Sequence, residues 1–230
     1  MSTGKFRDSI LGKMTTTERW TYLLLTVVCV VAIFLSIGDE SVFNERFANE
    51  DGIVENMTTL ALLGVAIVSG LRLVRMWKHR KWMWLAGTGL FIVMFFFAAG
   101  EEISWGQRIF GWETNEYFME KNAQEETNIH NLVVGETKLN KLIFSQLLGL
   151  FTALYLIVLP YLYRKVGWIQ KTIDAWGIPV AQWHHTLVFA LITVVILLIT
   201  ADRKWEVYEL GFGLIFFLIF INPFNRAAFK

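Results

Sequence analysis

Six apolar runs divide this chain, at about residues 20–38, 53–73, 82–100, 142–163, 180–200 and 205–221. Each approaches the twenty or so residues that a helix needs to cross the roughly 30 Å hydrocarbon core of a bilayer. Lipid offers no partner to a backbone N–H or C=O, so a spanning segment must satisfy its own hydrogen bonds, and open sheet is excluded at that depth. The expected fold is an all-α polytopic integral membrane protein, with six transmembrane helices in one bundle and a single domain over 1–230. Composition agrees with it: 55% of the 230 residues are hydrophobic, 18% are charged, and the mean hydropathy is +0.46. That is too apolar for an ordinary soluble domain.

Two function classes fall away early. The single cysteine, Cys29, rules out an intrachain disulfide and a cysteine-based metal knuckle. The basic residues are scattered at the ends of the runs and form no long stripe, so nucleic acid is not an expected partner. The first run follows a basic start, and 35–39 lacks a small-residue cleavage pattern, so an uncleaved first helix is expected. Residues 166–177 place Trp168, Ile169, Ile173 and Trp176 at helical spacing and predict a short interfacial helix.

The net charge of +1 conceals a strong segregation of sign. With the N-terminus in the cytoplasm, six crossings put 14 of the 21 Lys and Arg inside and 17 of the 20 Asp and Glu outside. The basic bias selects this orientation, with both termini cytoplasmic, and a bacterial inner (plasma) membrane is the expected location. The acidic bias is not part of that rule and asks for its own reason.

Carboxylates then gather at the outer face. Glu55 opens the second run, Glu101 and Glu102 close the third, and Glu206 and Glu209 open the sixth. A helix dipole favours acids at a helix N-terminus, which accounts for Glu55, Glu206 and Glu209 as supporting residues. It disfavours Glu101 and Glu102 at a helix C-terminus, where they need a cation, a proton, a metal or water.

The long outer loop 101–141, between the third and fourth helices, carries further polar groups and is expected to pack on the bundle. Glu126 and His130 stand one helical turn apart. Together with Glu101 and Glu102 they form the candidate catalytic set, because adjacent carboxylates at low dielectric split their proton affinities and a nearby histidine serves as base. Trp105, Gln107, Arg108, Asn128 and Asn131 are the candidate substrate-binding residues, with Arg108 suited to hold a phosphate or carboxylate bidentately. Glu102, Glu126 and His130 form a candidate divalent-metal set for Zn, Mn or Fe, all of which accept carboxylate with imidazole. Ser104 has no nearby histidine in sequence and is not read as a nucleophile. His184 and His185 fall near the opposite end of the bundle and are expected to form local hydrogen bonds.

The middles of the runs are almost free of ionisable residues, which counts against a transmembrane conduit. Two functions remain. One is a hydrolase or transferase acting on an amphiphilic or lipid-linked substrate at the outer membrane interface. The other is a non-enzymatic membrane binding, scaffold or transport-associated protein in which the same cluster is a structural ion-pair network.

Overall fold

The computed structural model describes residues 14–49, 52–129, 131–134, 137–138 and 147–230. Helix α1 (Thr16–Gly38) begins on a capping box: Thr15 accepts from the Glu18 main-chain N–H while Glu18 reaches back to the Thr15 N–H. That exchange satisfies donors a helix start otherwise leaves bare. Asp39 then caps the short α2 (Glu40–Val42), which runs into a π turn at Phe43–Phe47. Two long helices follow, α3 (Ile53–Met76) and α4 (Trp82–Glu102). Beyond α4 the backbone makes a left-handed 3-10 turn, Ser104–Gly106, into α5 (Gln107–Phe110). Asn115 caps α6 (Glu116–Lys121), and Val133–Val134 pairs with Thr137–Lys138 as a two-stranded hairpin. The remaining helices are α7 (Leu148–Ala153), α8 (Leu159–Lys165), α9 (Gly167–Ala175), α10 (Trp183–Leu198) and α11 (Lys204–Ile221).

This architecture corrects the six-span expectation. Among the described residues three helices, α1, α3 and α4, are long and apolar enough to cross a membrane. Of the run at 142–163 the structure describes 147 onward, where α7 and α8 are joined through a π turn at Leu154–Val158 and do not form one regular α-helix. The run at 180–200 yields a 16-residue helix, because 180–182 stays extended and holds the chain end, with Phe224 N–H donating to Val180 O at 2.7 Å. At 1.5 Å per residue such a helix measures about 24 Å, short of the hydrocarbon thickness. The run at 205–221 forms α11, whose first turns carry Lys204, Glu206 and Glu209. Both termini were assigned to the cytoplasm by counting six crossings, and that assignment falls with the count. The fold class that stands is an all-α bundle with three candidate spans.

Helix α11 is apolar for a different reason: it is the centre of the bundle. On one side Val207, Leu210, Ile215 and Ile219 pack with α1 through Leu25, Cys29 and Ala32 and with α10 through Phe189, Ile192 and Ile196. On the other, Phe216 and Phe220 pack with Leu62, Val65 and Ala66 of α3 and Phe95 and Ala99 of α4. Gly213 lets α3 come close, since a Cβ there would stand 3.3 Å from Ala61 Cβ and 3.4 Å from Thr58 O. Small residues at helix crossings supply van der Waals contact, which drives association where lipid cancels the hydrophobic gain. The outward rows are apolar too: α1 exposes Leu23, Val27, Val30, Phe34 and Ile37, and α10 exposes Leu187, Leu191, Val194 and Leu198. These helices suit a membrane environment.

The charge segregation survives in three dimensions. One end of the bundle gathers the start of α3, the end of α4 and the start of α11, with their acids. The other gathers the start of α1, the α3–α4 turn, α9, the start of α10 and the end of α11. There Asn225 donates to Asp174 Oδ1 at 2.8 Å and the Trp82 and Trp176 rings meet edge-on at 6.1 Å.

Candidate functional site

Helix α4 ends on two glutamates that turn in different directions. Glu101 is buried and accepts the Trp105 indole N–H at 2.8 Å and the Ile129 main-chain N–H at 2.5 Å. The second bond pins the returning chain to the helix end. Trp105 makes this contact from a left-handed backbone, at φ 56° and ψ 27°, a conformation rare for a bulky side chain. Its ring packs edge-on to Phe97 at 5.4 Å. Glu102 faces the acids of the other helices. It interacts electrostatically with Glu206, Glu55 and Glu101, and Glu209 does so with Glu102, Glu206 and Glu55.

A buried polar lattice closes the stretch 104–131. Ser104 donates its hydroxyl to Glu126 Oε2 at 2.5 Å, and Asn128 Nδ2 donates to the same oxygen at 2.9 Å and to Ser104 Oγ at 2.8 Å. Asn122 Nδ2 donates to Asn128 Oδ1 at 2.8 Å, and that oxygen also accepts the Asn131 N–H at 3.2 Å. Asn131 in turn donates its amide to Gln124. Gln107 Oε1 accepts the Thr127 N–H at 2.8 Å and the Thr114 hydroxyl at 3.0 Å. Ser104, Asn122, Glu126 and Asn128 are all buried.

The sequence-predicted residues thus divide into groups. Glu101 and Trp105 form one contact, while Gln107, Glu126, Asn128 and Asn131 join the lattice. Glu102 stands with Glu55, Glu206 and Glu209. Arg108 lies in α5. His130, and with it the third ligand of the Glu102, Glu126 and His130 metal set, lies outside the described residues. Sequence reasoning missed Asn122, Thr114 and Thr127, and passed over Ser104. No local pattern marks them, because their partners are up to 24 residues away.

A second cluster sits at the opposite end and is buried throughout. His184 and His185 open α10, and both turn their Nε2 atoms toward Glu18 Oε1, at 3.8 and 2.9 Å. Glu18 has no solvent-exposed surface, and its partners come from three elements. Oε2 accepts the Thr15 N–H at 2.6 Å and the Thr15 hydroxyl at 2.9 Å. Oε1 accepts His185 Nε2 at 2.9 Å and Asn222 Nδ2 at 2.7 Å. Tyr22 and His184 Nδ1 lie 2.8 Å apart. The start of α1, the start of α10 and the end of α11 are joined through one carboxylate. The Thr15-x-x-Glu18 pattern before an apolar run was the available signal for Glu18 as a cap. Nothing local connects it to histidines more than 160 residues away.

The Glu18, His184 and His185 ligand atoms lie within 4.8 Å of one another, a grouping that can in principle hold a metal ion. The hydrogen bonds fix a different state. His185 Nδ1 accepts the Gln182 main-chain N–H at 3.3 Å, so the ring proton sits on Nε2 and points at Glu18. Metal ligation through that Nε2 would require the proton to move to Nδ1, facing an N–H donor. With four donors a carboxylate has filled its usual acceptor sites. As folded, the Glu18 carboxylate is hydrogen-bonded to Thr15, His185 and Asn222, and His184 Nε2 stands 3.8 Å from Glu18 Oε1.

No protein-family profile, curated protein or solved structure matches this chain.

Proposed function

We propose that the chain is a non-enzymatic integral membrane protein, a binding or scaffold component that presents rigid helix ends to membrane lipid or to a membrane partner, with its polar clusters acting as structural networks. The observation that carries this reading is the Glu18 carboxylate, whose four donors come from Thr15, His185 and Asn222. The acid-rich end supports it in the same way. A general base must come within hydrogen-bond reach of a substrate proton, whereas Glu126 is buried and holds Ser104 and Asn128. A hydrolase or transferase built on Glu126 needs that lattice to open first.

A metal-binding reading has one observation in its favour, the convergence of two imidazoles and a carboxylate. Zn, Mn and Fe all take such a set. It requires the Gln182–His185 bond to break. Incubation of the nanodisc-embedded protein with membrane lipid extract, followed by mass spectrometry of the lipids, tests the enzyme against the scaffold. The expected result is an unchanged lipid profile. A hydrolysis or transfer product that vanishes in Glu126→Gln would overturn the proposal.

A further inference from the structure

At the basic end four tryptophans stand out from the bundle, each from a different element. Trp20 lies in the first turns of α1, Trp77 follows α3, Trp82 opens α4 and Trp168 lies in α9, and all four are between 62% and 70% exposed. An indole joins an apolar body to a polar N–H, which suits it to the headgroup level of a bilayer. Helix α4 sets that level. Its 21 residues measure about 31 Å, close to the hydrocarbon thickness, so Trp82 at its start stands at one interface. Beyond its far end Trp105 is exposed, as is Trp205 at the start of α11, and these mark the other interface.

The exposed charge among the four indoles is of one sign. Arg19 precedes Trp20, Arg75, Lys78 and Lys81 surround Trp77 and Trp82, and Lys165 and Lys171 stand three residues either side of Trp168. The described acids of this end are engaged by the bundle: Glu18 is buried and taken up by Thr15, His185 and Asn222, and Asp174 accepts from Tyr163 and Asn225. Helix α9 carries part of this surface across the end of the bundle. An extended Val166 turns it away from α8. At its other end the Trp176 ring meets Trp82, and the Trp176 carbonyl leaves no room for a Cβ on Gly87 of α4. With Asp174 also bonded to Tyr163 of α8, α9 is held from within, and Trp168, Lys171, Thr172 and Ala175 are left exposed.

We propose that α9 and the α3–α4 turn form a docking surface for anionic phospholipid headgroups, with the four indoles seated at the headgroup level. Lysine and arginine lay their apolar stems along such a boundary and carry their charge to the phosphates. Each cation near an anionic leaflet strengthens association about fivefold. A zwitterionic headgroup brings its own ammonium against the cations and gains little. Charge alone would suit an acidic protein equally; indoles at both ends of a helix that matches the hydrocarbon thickness favour lipid. The proposal names the lipid partner of the scaffold reading and rests on its placement of the chain in a membrane.

Alkaline carbonate extraction tests that placement first: release of the protein from the membrane would refute the membrane reading itself. Native mass spectrometry of the protein released from nanodiscs of equimolar phosphatidylglycerol and phosphatidylcholine then reads the headgroup preference. The wild type is expected to retain phosphatidylglycerol at least about tenfold over phosphatidylcholine. Lys81→Gln combined with Lys171→Gln should lower that ratio about fivefold or more. Arg46→Gln combined with Lys121→Gln, the same charge change at exposed positions of the acidic end, should leave it within about twofold. Equal retention of the two lipids by the wild type would overturn the proposal and leave an acidic protein as the match for this surface. Equal losses in the two double variants would reduce the preference to net charge and overturn it as well.

Discussion

Glu18→Gln changes one atom of a side chain that ties three helix ends together, so its cost can be worked bond by bond. The new amide presents one oxygen and one NH2 where the carboxylate presented two acceptors. Turning the NH2 toward Thr15 is the cheaper choice, because the Thr15 hydroxyl can rotate to accept while only the Thr15 N–H is stranded. The opposite choice strands both His185 Nε2–H and Asn222 Nδ2–H. His185 cannot escape by changing tautomer, since Gln182 N–H occupies its Nδ1. A stranded buried donor costs about 1–3 kcal/mol, and the two bonds that remain on Oε1 lose their charge assistance at about 1 kcal/mol each, giving about 3–5 kcal/mol. For a chain of this size that is a fall of about 6–20 °C in melting temperature. Thermal unfolding in detergent, with and without a strong chelator, measures it. The wild type is expected to be indifferent to the chelator. A variant within about 3 °C of the wild type would refute the network's importance. A chelator that brings the wild type down to the variant's melting temperature would show that a metal holds these helices.

Two further perturbations probe the other end of the bundle and its packing. Asn128→Ala removes the amide that serves Ser104, Glu126, Asn122 and the Asn131 N–H, and should cost the 104–131 segment about 2–3 kcal/mol of local stability; hydrogen exchange should quicken there, and unchanged protection would mean that the lattice does not order the segment. Gly87→Ala drives a Cβ into the Trp176 carbonyl oxygen and should lower stability by about 2–3 kcal/mol, whereas Gly149→Ala, with nothing within 4 Å, should leave the melting temperature unchanged or slightly raised. Equal behaviour of the two would show that the Trp176 backbone does not press on α4 at Gly87.

The sequence alone determined those features that depend on neighbours a few residues apart. Apolar runs made the chain helical and suited to lipid, because a helix closes its hydrogen bonds within the segment. The segregation of Lys and Arg from Asp and Glu reappears as a basic and an acidic end. A helix stands where 166–177 predicted one, as α9, since Trp168, Ile169 and Ile173 share a face at a period fixed by helix geometry. Hydropathy was blind to what each apolar run faces. Helix α11 reads like a span, yet it spends Leu210, Ile215 and Ile219 on other helices, and the described part of the run at 142–163 carries a π turn between α7 and α8. The polar clusters were harder still. The contacts of Glu102 and Glu126 were set by the fold: Glu126 meets Ser104 and Asn128, and Glu102 interacts with acids of α3 and α11. Glu18 could be recognised as a helix cap from the three residues before it. Its union with His185 and Asn222 was decided only when α1, α10 and α11 packed, because which helix ends meet depends on side-chain fit along their whole length and is written in no single segment.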